Sequence, residues 1–237
     1  MLMAIDIGNT NINFALIDDR GRIRRKSSAP TATPHFPPFK ADKIIIVSVV
    51  PYALKKLEGA LKKNFSRAEI SVVGRDVKVP LKCNYNKREI GQDRLVTAFA
   101  AGESYGLPIL VIDFGTAVTF DVVSKKRVYL GGLILPGIKM SLESLCEGTA
   151  MLPKTYLKKT RILIGKNTTS SIRGGMIYGY AALCEGLIAR FKREIKSVKV
   201  VATGGDAPLI SRYAPSIKKI DLNLSLNGLY LLSQKNT

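Results

Sequence analysis

The sequence predicts a duplicated α/β fold, in which two related halves each contain a mixed β-sheet. The first observation is an apolar run that ends in aspartate, any residue and glycine, and it occurs at Asp6 and again at Asp113. The second is that both copies are followed by more strand-like segments and then by alternating helical and strand-like segments. The third is size, because 237 residues, of which 46% are hydrophobic, suffice for two small cores.

The first half is assigned to residues 1–107. Most of its strands are apolar segments between turn residues, and 43–50 is a continuous apolar run of the kind that forms a buried strand. One helix follows Pro51, which suits the first helical position, and another begins near Gln92. Strands are predicted at 2–6, 11–17, 22–27, 43–50 and 68–74, and helices at 52–65 and 92–106.

The second half is assigned to residues 108–237 and repeats this order, with the break near Leu107-Pro108. Three strands again precede alternating helices and strands, which is the basis for predicting a duplication. Strands are predicted at 109–113, 117–123, 128–135 and 198–205. Helices are predicted in "IKMSLESLCEG", "SSIRGGMIYGYAALCEGLIARFKREI", "APLISRYA" and "LSLNGLYLLSQ".

Composition narrows the possible chemistry. His35 is the only histidine, so histidine-based triads are excluded and a carboxylate is the expected general base. Cys83, Cys146 and Cys184 lie far apart, which favours reduced thiols over a zinc site or a disulfide. The net charge of +19 would attract nucleotides or nucleic acid, but no aromatic residues interleave the basic groups, so nucleic acid is not the expected partner. No apolar run is long enough to span a bilayer and no signal peptide is recognisable, so we expect a cytoplasmic protein.

The two repeated motifs predict a phosphate site. Glycine at the tip of each hairpin lets backbone N–H groups point outward and lets a phosphate approach closely. Threonine and asparagine add side-chain donors at Asn9, Thr10 and Thr116. Asp6, at the end of its strand, could hold a cation or its water. The alternative is an ordinary hairpin with turn-forming residues, and the recurrence of the motif favours the phosphate site.

A second candidate site lies in "EIGQDR". Asp93 stands at the start of a predicted helix, after Gly91 and beside Arg94. The helix N-terminus and Arg94 would both keep Asp93 ionised, as a general base must be, and Arg94 could bind a carboxylate with two hydrogen bonds. The alternative is that Asp93 only caps the helix while Arg94 forms a surface ion pair.

The chain resembles the type III pantothenate kinases, within the actin/hexokinase/Hsp70 superfamily of phosphotransferases. The motifs that carry this resemblance run almost end to end: "DIGNTNI", "EIGQDR", "VIDFGTAVTFDVV", "GGLILPG", "GKNTTSSIRGGMIYGYAALCEGLI", "VVATGGDAPLI" and "DLNLSLNGLYLL". The resemblance implies duplicated ribonuclease H-like (actin-like ATPase) domains with an ATP cleft between them. It also implies ATP-dependent phosphorylation of pantothenate to 4'-phosphopantothenate, the first step of coenzyme A biosynthesis, by a homodimer.

The resemblance also implies roles for particular residues. Asp93 would be the general base, Asp113 would hold a monovalent cation (K⁺ or NH₄⁺), and Asp6 is the candidate for Mg²⁺. ATP would be bound by Asp6, Ile7, Gly8, Asn9, Thr10, Asn11, Ile12, Asn13, Thr116, Gly204 and Gly205. Pantothenate would be bound by Tyr85, Gly91, Gln92, Asp93, Arg94 and Thr168. Tyr85 stands one residue closer to "GQDR" than the family pattern has it, and Ala15 replaces a frequent glycine.

Two alternatives remain open from the sequence. One is a nucleic-acid-associated regulatory protein, as the related Bvg accessory factors suggest. The other is a kinase that acts on another small alcohol. Gly174, Gly175, Gly179 and Gly186 recur along one predicted helix, which indicates close helix packing, and an apolar stripe on that helix could form a subunit contact. This stripe comprises Met176, Tyr180, Leu183 and Leu187.

Overall fold

A computed structural model describes residues 1–35, 37–83, 85–86 and 89–235. The chain forms two compact units, of which unit 1 comprises Met1–Ser104 with Asn223–Thr237 and unit 2 comprises Tyr105–Leu222. Within the described part of the chain, no helix has the length and apolar character needed to cross a membrane.

Unit 1 is built on a mixed sheet with strand order β3-β2-β1-β4-β5. Its strands are β1 (Leu2–Ile7), β2 (Asn11–Ile17), β3 (Ile23–Pro30), β4 (Lys43–Ser48) and β5 (Glu69–Val72), and a short strand β6 (Lys82–Cys83) follows. Strands β1, β2 and β3 pair antiparallel, whereas β4 pairs parallel with both β1 and β5. The carboxyl ends of β1 and β4 therefore lie side by side, which is where open α/β sheets bind ligands.

Both faces of this sheet are covered, which explains the continuous apolar runs of β1 and β4. Met3, Ile5 and Ile7 face α1 (Pro51–Asn64), and the alternate residues Leu2 and Ala4 face the opposite side, because side chains alternate along a strand. That second side is covered by α2 (Gln92–Tyr105) and by a C-terminal helix that completes the layer.

Unit 2 repeats the arrangement with strand order β10-β7-β8-β9. Strands β7, β8 and β9 pair antiparallel and β10 pairs parallel with β7, as β4 does with β1. Phe114 and Phe120 of this sheet pack in one core with Ala181, Cys184 and Ile188 of α4. The elements are β7 (Ile109–Phe114), β8 (Ala117–Val123), β9 (Val128–Pro136), α3 (Ile138–Glu147), α4 (Thr168–Glu194), β10 (Lys199–Thr203) and α5 (Ala207–Ile210).

The last helix, α6 (Leu224–Lys235), corrects the assignment of 108–237 to one half. It packs on β1, β4 and β2, and so belongs to unit 1. Gly228 permits this close approach, because a Cβ there would lie 2.8 Å from Val96 Cγ1 and 2.9 Å from the Val96 carbonyl oxygen. Leu226, Leu229 and Leu232 complete the core beneath the sheet. An apolar helical pattern at the chain end predicts a packed helix but does not indicate which of the two cores it packs on.

Most predicted elements agree with the structure to within a few residues. The largest difference is α5, which has four residues rather than the longer helix expected in "APLISRYA". The strand β6 was not predicted, because its two residues carry no alternating pattern.

Candidate active site

The first predicted phosphate hairpin is a tight, well-anchored turn between β1 and β2. The Gly8 N–H donates to the Asn11 carbonyl oxygen at 3.0 Å, and Asn9 and Thr10 are exposed at the tip. Thr31, which is buried, holds the turn from the side: its hydroxyl donates to the Gly8 carbonyl at 2.7 Å and its N–H to the Thr10 carbonyl at 3.0 Å. Thr31 was not predicted as a site residue, because nothing in the Pro-rich segment near it indicates a contact with this turn.

The predicted run of ATP-binding residues divides into core and surface positions. The side chains of Ile7 and Ile12 are fully buried in the unit 1 core, so these two residues can offer a ligand only their backbone groups. Side chains with hydrogen-bonding groups are exposed at Asn9, Thr10, Asn11 and Asn13.

Asp6 is a partly buried carboxylate in an unusual electrostatic environment. Its backbone is fixed by strand pairing with Asn13 and Val47, and its Oδ2 accepts a hydrogen bond of 2.8 Å from the Ser225 hydroxyl. Burial raises the pKa of Asp6 to about 6, the Ser225 hydrogen bond lowers it, and the charge of Asp93 raises it. The carboxylates of Asp6 and Asp93 therefore repel each other electrostatically, although the two residues are far apart in sequence.

Asp93 is the second residue of α2, as the sequence predicted, and it is partly buried. Its Oδ1 accepts the N–H of Arg94 at 2.8 Å. Gly91 stands beside it: a Cβ at Gly91 would overlap Asp93 Oδ1 and would lie 3.4 Å from Val49 Cγ1. The glycine of the "GQDR" motif thus leaves the space that the Asp93 carboxylate occupies.

The other predicted substrate-binding residues of unit 1 differ in how much of each residue is exposed to solvent. Gln92 and Arg94 are partly buried, and the Gln92 side chain lies against Gly74, where a Cβ would be 2.9 Å from Gln92 Cγ. The Tyr85 side chain is 41% exposed, and its carbonyl oxygen lies 3.7 Å from the Cys83 thiol, which donates to it. Among the predicted site residues of unit 1, the structure thus brings Asp93 close to Gly91 and within electrostatic range of Asp6.

Unit 2 carries the second hairpin. The Gly115 N–H donates to the Ala117 carbonyl at 3.1 Å, and Gly115 and Thr116 are exposed. Gly137, at the start of α3, packs directly on this tip, because a Cβ there would overlap the Thr116 carbonyl oxygen. Gly137 belongs to the motif "GGLILPG", for which no role was predicted from the sequence.

The glycine pair after β10 lies against Asp113. Thr203 pairs with Asp113 across β10 and β7, so the chain turns at Gly204 immediately beside the end of β7. Gly204 has φ +89°, and a Cβ there would be 2.5 Å from Asp113 Oδ1 and 2.5 Å from the Phe114 carbonyl oxygen. Gly205 faces open space. The structure therefore brings together two predicted residues, Asp113 and Gly204, that are 204 − 113 = 91 positions apart.

Thr168 begins α4 and is exposed. Asn167 caps this helix: its side chain accepts the Ser170 N–H at 2.9 Å, and the Ser170 hydroxyl accepts the Asn167 N–H at 3.2 Å. The motif "GKNT" thus places a threonine hydroxyl at a well-formed helix N-terminus.

The apolar stripe of α4, which was predicted as a possible subunit contact, is partly buried within its own unit, and its role in a subunit contact stays a prediction. Met176, Tyr180, Leu183 and Leu187 pack against the core of unit 2. Three of the four glycines face outward, because a Cβ at position 175, 179 or 186 would have no atom of another element within 4 Å, whereas Gly174 is buried and a Cβ there would lie 3.0 Å from the Ile162 carbonyl oxygen. The helix period placed the apolar face correctly but not what it packs against.

The acidic residues fit a divalent metal that arrives with a nucleotide. Among the described residues, no group of three or more histidine, cysteine or acidic side chains could hold a metal alone. Mg²⁺ commonly uses one or two carboxylates, several waters and the substrate phosphates. A partly buried Asp6 that is also repelled by Asp93 would be stabilised by such a cation.

Comparisons with known proteins agree with this architecture. The family model described as type III pantothenate kinase matches residues 2–190. The protein named type III pantothenate kinase from Anaeromyxobacter sp. (strain K) is 38% identical over 255 residues, which cover 100% of both chains.

Two solved structures share the fold at low identity. One is a Campylobacter jejuni protein provisionally described as a conserved Baf family transcriptional activator, with TM-score 0.66, 21% identity and coverage of 99% and 98% of the two chains. The other is the inorganic polyphosphate/ATP-glucomannokinase of Arthrobacter sp. strain KM, with TM-score 0.50, 16% identity and coverage of 100% and 99%. At these identities the likeness shows the fold alone, and it confirms the predicted duplicated, actin-like class.

Proposed function

Because the chain belongs to the type III pantothenate kinase family, we propose that Asp93 is the general base of its reaction and that the two hairpin tips bind the phosphates of ATP. The family membership confirms the predicted activity, which is ATP-dependent phosphorylation of pantothenate in coenzyme A biosynthesis, with ATP and a divalent metal. The assignment of individual residues to this reaction is our proposal.

The proposal for Asp93 is carried by one observation, the space that Gly91 leaves beside the Asp93 carboxylate at the N-terminus of α2. In the proposed step, the oxygen of the pantothenate hydroxyl attacks the γ-phosphorus of ATP. The bond from this phosphorus to the bridging oxygen breaks, ADP leaves with the electron pair, and the hydroxyl proton passes to Asp93. A carboxylate must serve here, because the only histidine of the chain is His35, in the Pro-rich segment.

Arg94 is proposed to bind the carboxylate of pantothenate. Its guanidinium offers two parallel donors to a carboxylate, which would orient the substrate as well as hold it. Gly91 and Gln92 would line the same acceptor site, and Tyr85 and Thr168 are proposed as further substrate contacts. The exposure of Tyr85 and Thr168 is compatible with that role.

Asp6 is proposed to bind Mg²⁺ or its water, beside the phosphate-binding turn Gly8–Asn11. The support is its burial, which raises its pKa to about 6, and the repulsion from Asp93, both of which a cation would offset. Thr116 would contact the phosphates from the second hairpin, and Gly204 and Gly205 would lie against the adenosine. When bound, the metal would neutralise charge on the phosphates.

A monovalent cation at Asp113 and a homodimer are further proposals. Asp113 is partly buried near the end of β7, and the space beside it is so small that a Cβ at Gly204 would lie 2.5 Å from Asp113 Oδ1, so a single compact cation suits it better than a long basic side chain. The outward glycines of α4, with nothing against them, would allow close approach of a second copy. A cytoplasmic location stays a prediction.

The test of this proposal is the variant Asp93→Asn. We expect kcat with ATP and pantothenate to fall by about 10²–10⁴-fold, the range that general bases contribute. The matched control is Asp19→Asn, the same change at a side chain that is 94% exposed. Binding of Mg·ATP, measured by calorimetry, should persist in both variants. Turnover by Asp93→Asn at the rate of the control would remove Asp93 as the base.

A further inference from the structure

A hydroxyl from the last helix reaches the proposed phosphate site. The Ser225 Oγ donates to Asp6 Oδ2 at 2.8 Å, so residues near the two ends of the chain meet. Ser225 is the second residue of α6 and lies between Leu224 and Leu226, both of which are buried. The two leucines fix the helix on unit 1, and they therefore fix the serine in front of Asp6.

We infer that Ser225 is a positioning residue of the kinase. It holds the Asp6 carboxylate in the orientation that would bind the Mg²⁺ carried by the phosphates of ATP. The inference rests on the role proposed above for Asp6. It adds a residue of the C-terminal helix α6, in which no site residue was predicted from the sequence.

Asp6 needs such a partner because its strand does not fix its side chain. Pairing with Asn13 and Val47 holds the backbone, but the terminal torsion of an aspartate is soft and rotates over a broad range. One hydrogen bond to a single carboxylate oxygen sets the plane of the group. Oδ2 is engaged by Ser225, and Oδ1 is the oxygen we assign to the metal or its water.

The charge of Asp93 makes the Ser225 hydrogen bond more important to the Asp6 carboxylate. The negative charge of Asp93 disfavours the ionised form of Asp6, whereas the hydrogen bond from Ser225 favours it. A hydrogen bond to an ionised acceptor is shorter and stronger than one between neutral groups. Ser225 is thus a neutral group that can oppose the repulsion without cancelling the negative charge that a metal requires.

Three variants test the inference. Ser225→Ala removes the donor, Ser225→Thr keeps a hydroxyl, and Ser233→Ala is the matched control on the same helix. The Ser233 hydroxyl donates to the Tyr230 carbonyl at 2.7 Å, away from Asp6. The measurements are the dissociation constant of Mg·ATP by calorimetry, the KM values of ATP and pantothenate, and the melting temperature.

We expect Ser225→Ala to weaken Mg·ATP binding by about tenfold, as loss of a hydrogen bond to a charged group does. The KM of ATP should rise in parallel, the KM of pantothenate should change much less, and Ser225→Thr should restore most of the affinity. The melting temperature of Ser225→Ala should match that of Ser233→Ala. A purely structural tie would lower stability and leave the two KM values in their original ratio.

The outcomes separate this inference from the proposal beneath it. If Asp6→Asn weakens Mg·ATP binding and Ser225→Ala does not, the role of Ser225 is overturned and that of Asp6 stands. If Asp6→Asn itself leaves Mg·ATP binding unchanged, the proposed role of Asp6 fails and takes this inference with it. Failure of Ser225→Ala to fold would also overturn the inference, since the hydrogen bond would then serve stability.

Discussion

Replacement of Gly91 by alanine tests the geometry around the proposed base most sharply. A Cβ at this position would overlap Asp93 Oδ1, whereas its next neighbour, Val49 Cγ1, would be 3.4 Å away. The added methyl group therefore has one serious clash, and it is with the flexible end of the Asp93 side chain. Gly91 has no positive φ, so backbone strain plays no part.

The magnitude follows from the size of the displacement. To reach an ordinary contact distance, the Asp93 carboxylate must withdraw by about 1 Å, and a misplacement of that size costs on the order of 10²-fold in rate. We expect kcat/KM for pantothenate to fall by about 100-fold, or roughly 2.7 kcal/mol of transition-state stabilisation. The assay is ADP release under saturating Mg·ATP, with melting temperature as the measure of folding.

The control is Gly59→Ala in α1, where a Cβ would have no atom within 4 Å outside its own helical turn. This variant should keep full activity and gain stability, since alanine favours a helix over glycine by about 1 kcal/mol. If Gly91→Ala turns over within about threefold of the wild-type rate, Asp93 is not held where the structure has it, or it is not the base.

Three other perturbations have clear expected outcomes. Gly204→Ala should lower the free energy of unfolding by at least 1–2 kcal/mol, because φ is +89° and the Cβ would press on Asp113, and urea titration measures the loss. Gly228→Ala should destabilise by about 1–3 kcal/mol through overpacking of α6 on α2, in the same assay. The pKa of Asp6 is raised from 3.8 to about 6, so the folded state binds this proton more tightly than the unfolded state does. The stability that the protonated Asp6 contributes is therefore lost as pH rises from 3.8 to about 6. In metal-free buffer, Asp6→Asn should therefore remove this slope and raise stability at pH 7 by roughly 1–3 kcal/mol, while unchanged urea midpoints across pH 4–7 would contradict the stated environment of Asp6.

Local patterns predicted the elements well because the apolar periods are strong. The hairpins at Asp6 and Asp113, the start of α2 at Gln92 and the buried strand β4 all follow from short stretches of sequence. Each of them depends on neighbours along the chain, which a single sequence displays.

Contacts between elements that are distant in sequence could not be predicted in the same way. The sequence indicated that α6 is an apolar helix, but not that Gly228 lets it pack on α2 in unit 1. In the same way, helical period located the apolar face of α4 without revealing that Tyr180 packs on its own core. Both facts depend on pairs of surfaces that have no common local pattern.

The site shows the same division. Asp6 and Asp93 were candidates from their local sequence, at a strand end before a glycine turn and at a helix start beside Arg94, whereas the specific roles of Asp113 and Gly204 came from the resemblance to a family. Thr31, Gly137 and Ser225 support these residues from distant parts of the chain, and their residue types are too common to attract notice in sequence. The only available signal was that Gly137 and Ser225 fall inside the quoted motifs.

The most direct test of the central claim is a crystal structure of the protein with pantothenate and a non-hydrolysable ATP analogue. We expect a carboxylate oxygen of Asp93 to lie within about 3.2 Å of the acceptor hydroxyl oxygen, the reach of a general base. A complex in which that hydroxyl contacts a different group, with Asp93 turned away from the substrate, would contradict it.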